Sequence, residues 1–226
     1  MAASTTTFRG QTRSAGLVLA AGGGTRYGTP KVLVRGADGV PWLQHAVTTL
    51  AASGCSPILV VLGAAAEQAE TLLAETLLAE TLGGSEVPVV IVRAPDWAAG
   101  LSASLRAGLD AAGRLEPLPS AIAVVPVDVP DLNTATVARV LGTHEHEHIV
   151  VTPDSLRQAV FGSRPGHPVL IGRAHWAPLA AGLQGDQGAR PYLMAHHVQA
   201  VECGDLSTGL DVDSPAPGPL PAPGHG

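Results

Sequence analysis

Aromatic side chains are scarce in this sequence, which has three Trp, two Tyr and two Phe among 226 residues. A core must therefore be built from aliphatic residues, and the 46% apolar fraction supplies them in a chain of this length. Cysteine is almost absent. Cys55 and Cys203 are too few for a disulfide framework and form no C-x-x-C pair. A reduced, cytoplasmic setting is the expectation. No apolar run approaches the roughly 18 residues that a membrane span requires, and residues 1–14 lack the apolar centre of a secretory signal. Positive charge is also short: 13 Lys and Arg face 19 Asp and Glu, for a net charge of −6. That balance argues against a nucleic-acid backbone or an anionic membrane as partner. A nucleotide-sized anion is still compatible, because one local loop can outweigh an acidic average. Lysine is the rarest charge of all. Lys31 is the only one in the chain, and a lone ammonium beside a glycine loop is a compact charge suited to phosphate oxygens.

What is present is a regular alternation of apolar runs and helical patterns. Strands are expected at residues 16–21, 56–62, 87–93, 121–127, 149–152, 168–171 and 198–202, with a short extended piece at 32–34. Helices are expected at 41–53, 64–82, 100–113, 133–143, 173–182 and 187–196. Continuous Ile, Leu and Val runs belong to strands covered on both faces. The fold class that follows is α/β: a three-layer α/β/α sandwich with a Rossmann-like, mostly parallel sheet. One domain is expected over 15–214, between a disordered lead (1–14) and a disordered Pro/Gly-rich tail (215–226). Within the second helix, AETLL repeats from Ala69. Each repeat advances about 140° net at about 100° per residue, so the leucines spiral and do not form one stripe. A surface helix is expected, on a monomer or weak dimer.

The chemistry concentrates at Leu17–Lys31, where an apolar run enters the loop Gly22-Gly23-Gly24-Thr25-Arg26-Tyr27-Gly28. A dinucleotide fingerprint requires G-x-G-x-x-G, but Tyr27 stands at the third glycine. A P-loop requires Gly-Lys-Ser/Thr, but Thr29 and Pro30 intervene before Lys31, and Pro30 would break the following helix. The spacing Leu19-Ala20-Ala21-Gly22-x-Gly24-x-Arg26-x-Gly28-x-x-Lys31 instead resembles the signature of MobA-like nucleotidyltransferases. Backbone N–H groups of such a loop can cradle a triphosphate. Arg26 and Lys31 would then offset charge at the reacting phosphate.

Two aspartate motifs extend the resemblance. Asp128-Val-Pro130 follows an apolar strand, which is where α/β sheets hold ligands, and it resembles the family's Mg²⁺ carboxylate. Asp211-Val-Asp213-Ser-Pro resembles the second metal motif, with Asp211 favoured over Asp213. Asp131 reads as part of a turn. Within the family, the closest likeness is to cytidylyltransferases of the molybdenum cofactor (MocA type). It is carried by Leu-Ala-Ala-Gly, by Ser102 and Ser104 within residues 96–105, by Gly166-His167-Pro, and by Gly-Asp186-Gln-Gly-Ala-Arg190.

The resemblance implies a Mg²⁺-dependent transfer of CMP from CTP to the terminal phosphate of molybdopterin. Leu19 to Arg26, Lys31, Ser102 and Ser104 would contact nucleotide, and Gly166, His167, Asp186 and Arg190 the pterin. A molybdenum hydroxylase is the expected recipient of the cofactor. The alternatives are GTP or another acceptor, a non-catalytic cofactor chaperone, and an NAD(P)H oxidoreductase. The tract His144-Glu-His146-Glu-His148 has metal-like spacing, but it reads more simply as a solvated link.

Overall fold

The computed structural model describes residues 13–81, 87–143 and 149–214. The lead before residue 13, the 144–148 histidine tract and the tail from residue 215 lie outside them.

Among the described residues seven strands form one sheet: β1 (Ser14–Ala20), β2 (Ile58–Leu62), β3 (Val89–Arg93), β4 (Ala121–Pro126), β5 (Leu156–Phe161), β6 (Arg164–Gly172) and β7 (Gln199–Glu202). Their order is β3-β2-β1-β4-β6-β5-β7. The β3-β2-β1-β4 half is parallel throughout. β6 runs antiparallel to both β4 and β5, and β7 pairs parallel with β5. The sheet is thus mostly parallel, as the alternating pattern implies.

Among the described residues six α-helices cover it: α1 (Trp42–Ala52), α2 (Ala66–Thr81), α3 (Leu101–Ala112), α4 (Thr134–Leu141), α5 (Trp176–Gly182) and α6 (Arg190–Ala195). Strand alternation divides the core into two layers. Val18, Ala20, Ile58, Val60 and Leu62 face Leu43, Val47 and Leu50 of α1, Leu73 of α2 and Val137 and Val140 of α4. Leu17, Leu59 and Val61 face Leu105 and Leu109 of α3, Trp176 and Leu179 of α5 and Leu193 of α6. Both layers are mainly aliphatic, as the shortage of aromatics dictates, with Trp42 and Phe161 in the first and Trp176 in the second. In α2, Ala69 and Leu73 are buried, which docks the first turns of the repeat helix on the sheet.

Several boundaries differ from the sequence reading, and the piece expected to be extended at 32–34 is largely a 3-10 turn, Lys31–Leu33. Residues 149–152 form no strand: Ile149 and Val150 are exposed, and the chain turns there before β5. The strand lies at Leu156–Phe161, where Arg157 hides the apolar alternation. Arg157 is nonetheless buried, with Nη1 donating to the Val140 carbonyl at 2.6 Å. The expected strand at 168–171 begins earlier, at Arg164, because it forms a hairpin with β5. Finally, β1 begins at Ser14, inside the expected lead, because buried Ser14 pairs with Ala121 and accepts a hydrogen bond from Ser56.

Candidate active site

A cavity of about 460 Å³ opens at the carboxyl ends of β1 and β4, a size suited to a nucleotide-scale ligand. Its floor is the loop after β1. Gly24 takes φ +64°, and a Cβ there would collide with the Thr29 backbone, so only glycine fits. The loop closes on itself through the Gly28 N–H, which donates to the Gly24 carbonyl at 2.8 Å. The N–H groups of Gly22, Gly23, Gly24, Thr25 and Arg26 have no acceptor among the described residues. A run of free amides in such a loop is chemically able to receive an anion.

Lys31 opens a short 3-10 turn beyond this loop. Its Nζ donates to Asp128 Oδ2 at 2.7 Å and to Asp213 Oδ1 at 3.0 Å. Partial burial opposes the lysine's charge. The two carboxylates outweigh that cost and hold its pKa above the ordinary value. The hydrogen bond and charge of Lys31 in turn hold Asp213 below its ordinary value. Arg26 is largely exposed, and its Nη1 lies 4.0 Å from Asp213.

Asp128 and Asp213 are therefore two hard oxygen donors that converge on one point, already occupied by a cation. This chemistry fits a small divalent ion. Among the described residues no cluster of three or more His, Cys, Asp or Glu could hold a metal. Two carboxylates nonetheless suffice for an ion that completes its shell with water and substrate phosphates.

The structure brings Leu19, Ala20, Ala21, Gly22, Gly23, Gly24, Thr25, Arg26, Lys31, Ser104, Asp128, Asp186 and Asp213 to this one cavity. Ser102 does not line it. Ser102 is buried, its Oγ unpartnered, and its N–H donates to the Gly185 carbonyl at 2.9 Å. Asp211 is exposed and outside the cavity lining, whereas Asp213 reaches Lys31. The reason is register: the intervening Val212 packs on the core and its N–H donates to the Asp128 carbonyl at 3.0 Å.

Gly166, His167 and Arg190 also lie outside the lining. His167 is half-buried, and burial lowers its pKa against the opposing pull of Asp128 and Asp211. Asp186 lies beside the start of α3, where its Oδ1 accepts from the Leu101 N–H at 3.3 Å. Residues that sequence reasoning did not single out are Tyr27, Trp97 and Leu101. The scarcity of aromatics was the available signal for Trp97, whose ring lies against Gly23 and Gly63.

This fold and this cavity define an α/β protein with a candidate ligand site at the carboxyl ends of its parallel strands. The MobA-like NTP transferase domain family matches residues 16–201, and the chain belongs to that family. A curated relative, nicotine blue oxidoreductase of Paenarthrobacter nicotinovorans, is 34% identical over 202 residues, covering 88% of this chain and 91% of its own. Among solved structures, Rv0371c of Mycobacterium tuberculosis H37Rv superposes with a TM-score of 0.64 at 26% identity, covering 90% of this chain and 94% of that one. A structure of the same protein in complex with manganese matches with a TM-score of 0.59 at 23% identity, over 84% and 87% of the two chains.

Proposed function

We propose that this protein is a divalent-metal-dependent nucleotidyltransferase that moves CMP from CTP to the terminal phosphate of molybdopterin. The observation that carries nucleotidyl transfer is the convergence of Lys31, Asp128 and Asp213 beside five free loop amides. In this reading an acceptor phosphate oxygen attacks the α-phosphorus of CTP. The bond from that phosphorus to the bridging oxygen breaks, and pyrophosphate leaves with the electron pair.

The loop amides of Gly22 to Arg26 bind the triphosphate. Lys31 and Arg26 offset charge on the reacting and leaving oxygens, where fixed donors act most strongly. Asp128 and Asp213 would hold Mg²⁺, which supplies Lewis-acid neutralisation of phosphate charge. Moving the Lys31 ammonium out from between the carboxylates would leave Asp128 and Asp213 able to hold that ion and would free the lysine for phosphate. No side-chain nucleophile is required, so catalysis is positioning plus electrostatics. The preference for cytosine and for molybdopterin rests on the Leu-Ala-Ala-Gly and Gly-His-Pro resemblances. A molybdenum hydroxylase would receive the product.

A second reading, an NAD(P)H-dependent oxidoreductase, is favoured by the name of the 34% identical relative. One set of assays separates the two. Purified protein is given Mg²⁺, molybdopterin and CTP, GTP or ATP, and pyrophosphate is measured. In parallel, NADH or NADPH oxidation is followed with a quinonoid dye as acceptor. Pyrophosphate release with CTP above GTP and ATP supports the first reading. Nicotinamide oxidation without pyrophosphate from any nucleotide overturns it in favour of the second.

A further inference from the structure

The turn that supplies Asp128 carries another carboxylate, Asp131, outside the cavity. Its Oδ2 accepts from the Thr208 N–H at 2.6 Å and also from the Thr208 hydroxyl. Thr208 belongs to the strap of residues 206–213 that follows β7 and ends at Asp213. Other groups grip the same strap. Asn133 Nδ2 donates to the Leu206 carbonyl at 2.8 Å, and Arg164 donates to the carbonyls of Thr208 and Gly209. The Val212 N–H donates to the Asp128 carbonyl.

Asp213 itself cannot anchor the strap. Its side chain is 57% exposed, and ion pairs of that exposure contribute little. The register that brings Asp213 to Lys31 must come from the strap's other bonds. The turn 128–132 makes two of these attachments, through the Asp128 carbonyl and the Asp131 carboxylate.

We propose that Asp131 is a positioning residue. By clasping Thr208 it fixes the register of the strap and delivers the Asp213 carboxylate to its place beside Asp128. One short motif then sets both carboxylates: Asp128 directly, and Asp213 through the clasp. The inference rests on the reading of Asp213 as a metal carboxylate.

Three variants test it. Asp131→Ala removes both clasp bonds and leaves the Thr208 hydroxyl to accept from the Leu210 N–H at 3.3 Å; Thr208→Val removes the hydroxyl bond to Asp131 together with that local acceptor, and Thr208→Ser keeps all three. Two readouts apply besides turnover. Because Lys31 is the only lysine, ¹⁵Nζ-lysine labelling gives a single ammonium resonance that reports its bond to Asp213 without any ligand. Mn²⁺ affinity in the presence of CTP, followed by EPR, reports the carboxylate pair.

Thr208→Val is expected to shift or broaden the ammonium signal and to weaken Mn²⁺ binding about tenfold. Asp131→Ala is expected to weaken it towards about a hundredfold, the range for residues that orient metal ligands. Thr208→Ser should match wild type, and metal-free CTP affinity should be unchanged in all three. If Asp131→Ala fails to fold, Thr208→Val against Thr208→Ser carries the test. A wild-type ammonium signal and wild-type Mn²⁺ affinity in Thr208→Val overturn the proposal. Should wild-type protein bind neither Mn²⁺ nor CTP while the ammonium signal still responds to the clasp variants, the functional reading fails and the clasp stands.

Discussion

Lys31 and Asp213 stand 182 positions apart in the chain and are joined by a 3.0 Å hydrogen bond. The bond closes the site from its two sequence extremes, the loop after β1 and the strap after β7. It also places an ammonium between the two carboxylates that suit a divalent ion. Lys31 thus serves as a resident cation that offsets the repulsion between Asp128 and Asp213, while the strap's own bonds hold Asp213 in register. In the proposed reaction, a bound nucleotide would offer the lysine a phosphate, and a divalent ion would take its place between the carboxylates.

The identity of that lysine is the first thing to test. Lys31→Ala is expected to lower pyrophosphate release by about 10²–10³-fold, the cost of losing one preorganised donor to a reacting oxygen. Lys31→Arg should fail to restore it. The planar guanidinium is larger and cannot take the place of an ammonium between Asp128 and Asp213. Steady-state turnover of the three proteins at saturating CTP decides this, and wild-type turnover in Lys31→Arg would remove the compact point charge from the explanation.

The two aspartates of the strap separate next. Asp213 reaches Lys31, while Asp211 is exposed and outside the cavity lining. Asp213→Asn should weaken Mn²⁺ binding by about 10-fold or more, since it removes one of only two carboxylates. Asp211→Asn should leave that affinity within about twofold, as expected for an exposed site away from special contacts. Titration of each variant with Mn²⁺ in the presence of CTP measures both values. Equal losses would show that the strap shifts register when the ligand binds.

Which parts of this site the sequence disclosed follows from how local they are. The glycine loop and Asp128 sit in contiguous motifs whose spacing is set by the loop itself and by the end of β4. They were readable because every element of the pattern lies within a few residues. The sequence favours Asp211 over Asp213 because the choice depends on Val212 bonding to Asp128, a contact between two segments far apart in the chain. Asp186 was assigned to a pterin site, yet a turn after α5 carries it to the start of α3 and so to the glycine-loop cavity. Asp131 read as turn chemistry, and its partner Thr208 is distant in sequence. The β5 strand is hidden because Arg157 is buried, with Nη1 donating to the Val140 carbonyl near the carboxyl end of α4, so its polarity misreports its burial. The parallel half of the sheet was plain from its unbroken Val, Leu and Ile runs.

The pH response of the Lys31–Asp213 bond follows from the two shifts. Asp213 is depressed by Lys31, so its contribution is present above its ordinary pKa and is lost only as pH falls through the lower folded value. Lys31 is raised, so its contribution is complete below the ordinary lysine value of 10.5 and is lost as pH rises beyond it, through the folded value. The ammonium resonance of Lys31 should therefore stay constant between about pH 5 and 9, a window clear of both ordinary values. A midpoint inside that window would contradict the bond.

Both thiols should be inert in the folded protein. Cys55 and Cys203 are buried, and burial pushes their pKa values up to about 12 and about 11. The reactive species is the thiolate, so at about pH 8 neither residue combines access with ionisation. Ellman's reagent should give no fast reaction with native protein and should titrate both thiols after denaturation. A fast native reaction at Cys203 would mean that the strap beginning at Leu206 opens readily, because Leu206 and Ser207 both donate to the Cys203 carbonyl.

Gly24 tests whether the loop is built for backbone contact with the ligand. Its φ of +64° suits glycine, and a Cβ there would strike the Thr29 carbonyl, so Gly24→Ala pays both strain and collision. A loss of about 1–3 kcal/mol in stability is expected for one residue forced into this region. The loop can relieve that strain only by moving the Thr29–Pro30 backbone, which leads directly into Lys31. The variant should therefore lose nucleotide affinity and also perturb the Lys31 ammonium resonance, although Gly24 touches neither aspartate. Thermal unfolding, CTP binding and the single lysine signal, measured on one sample, distinguish this coupled outcome from simple destabilisation, in which the melting temperature falls while the folded protein's ammonium signal stays in place.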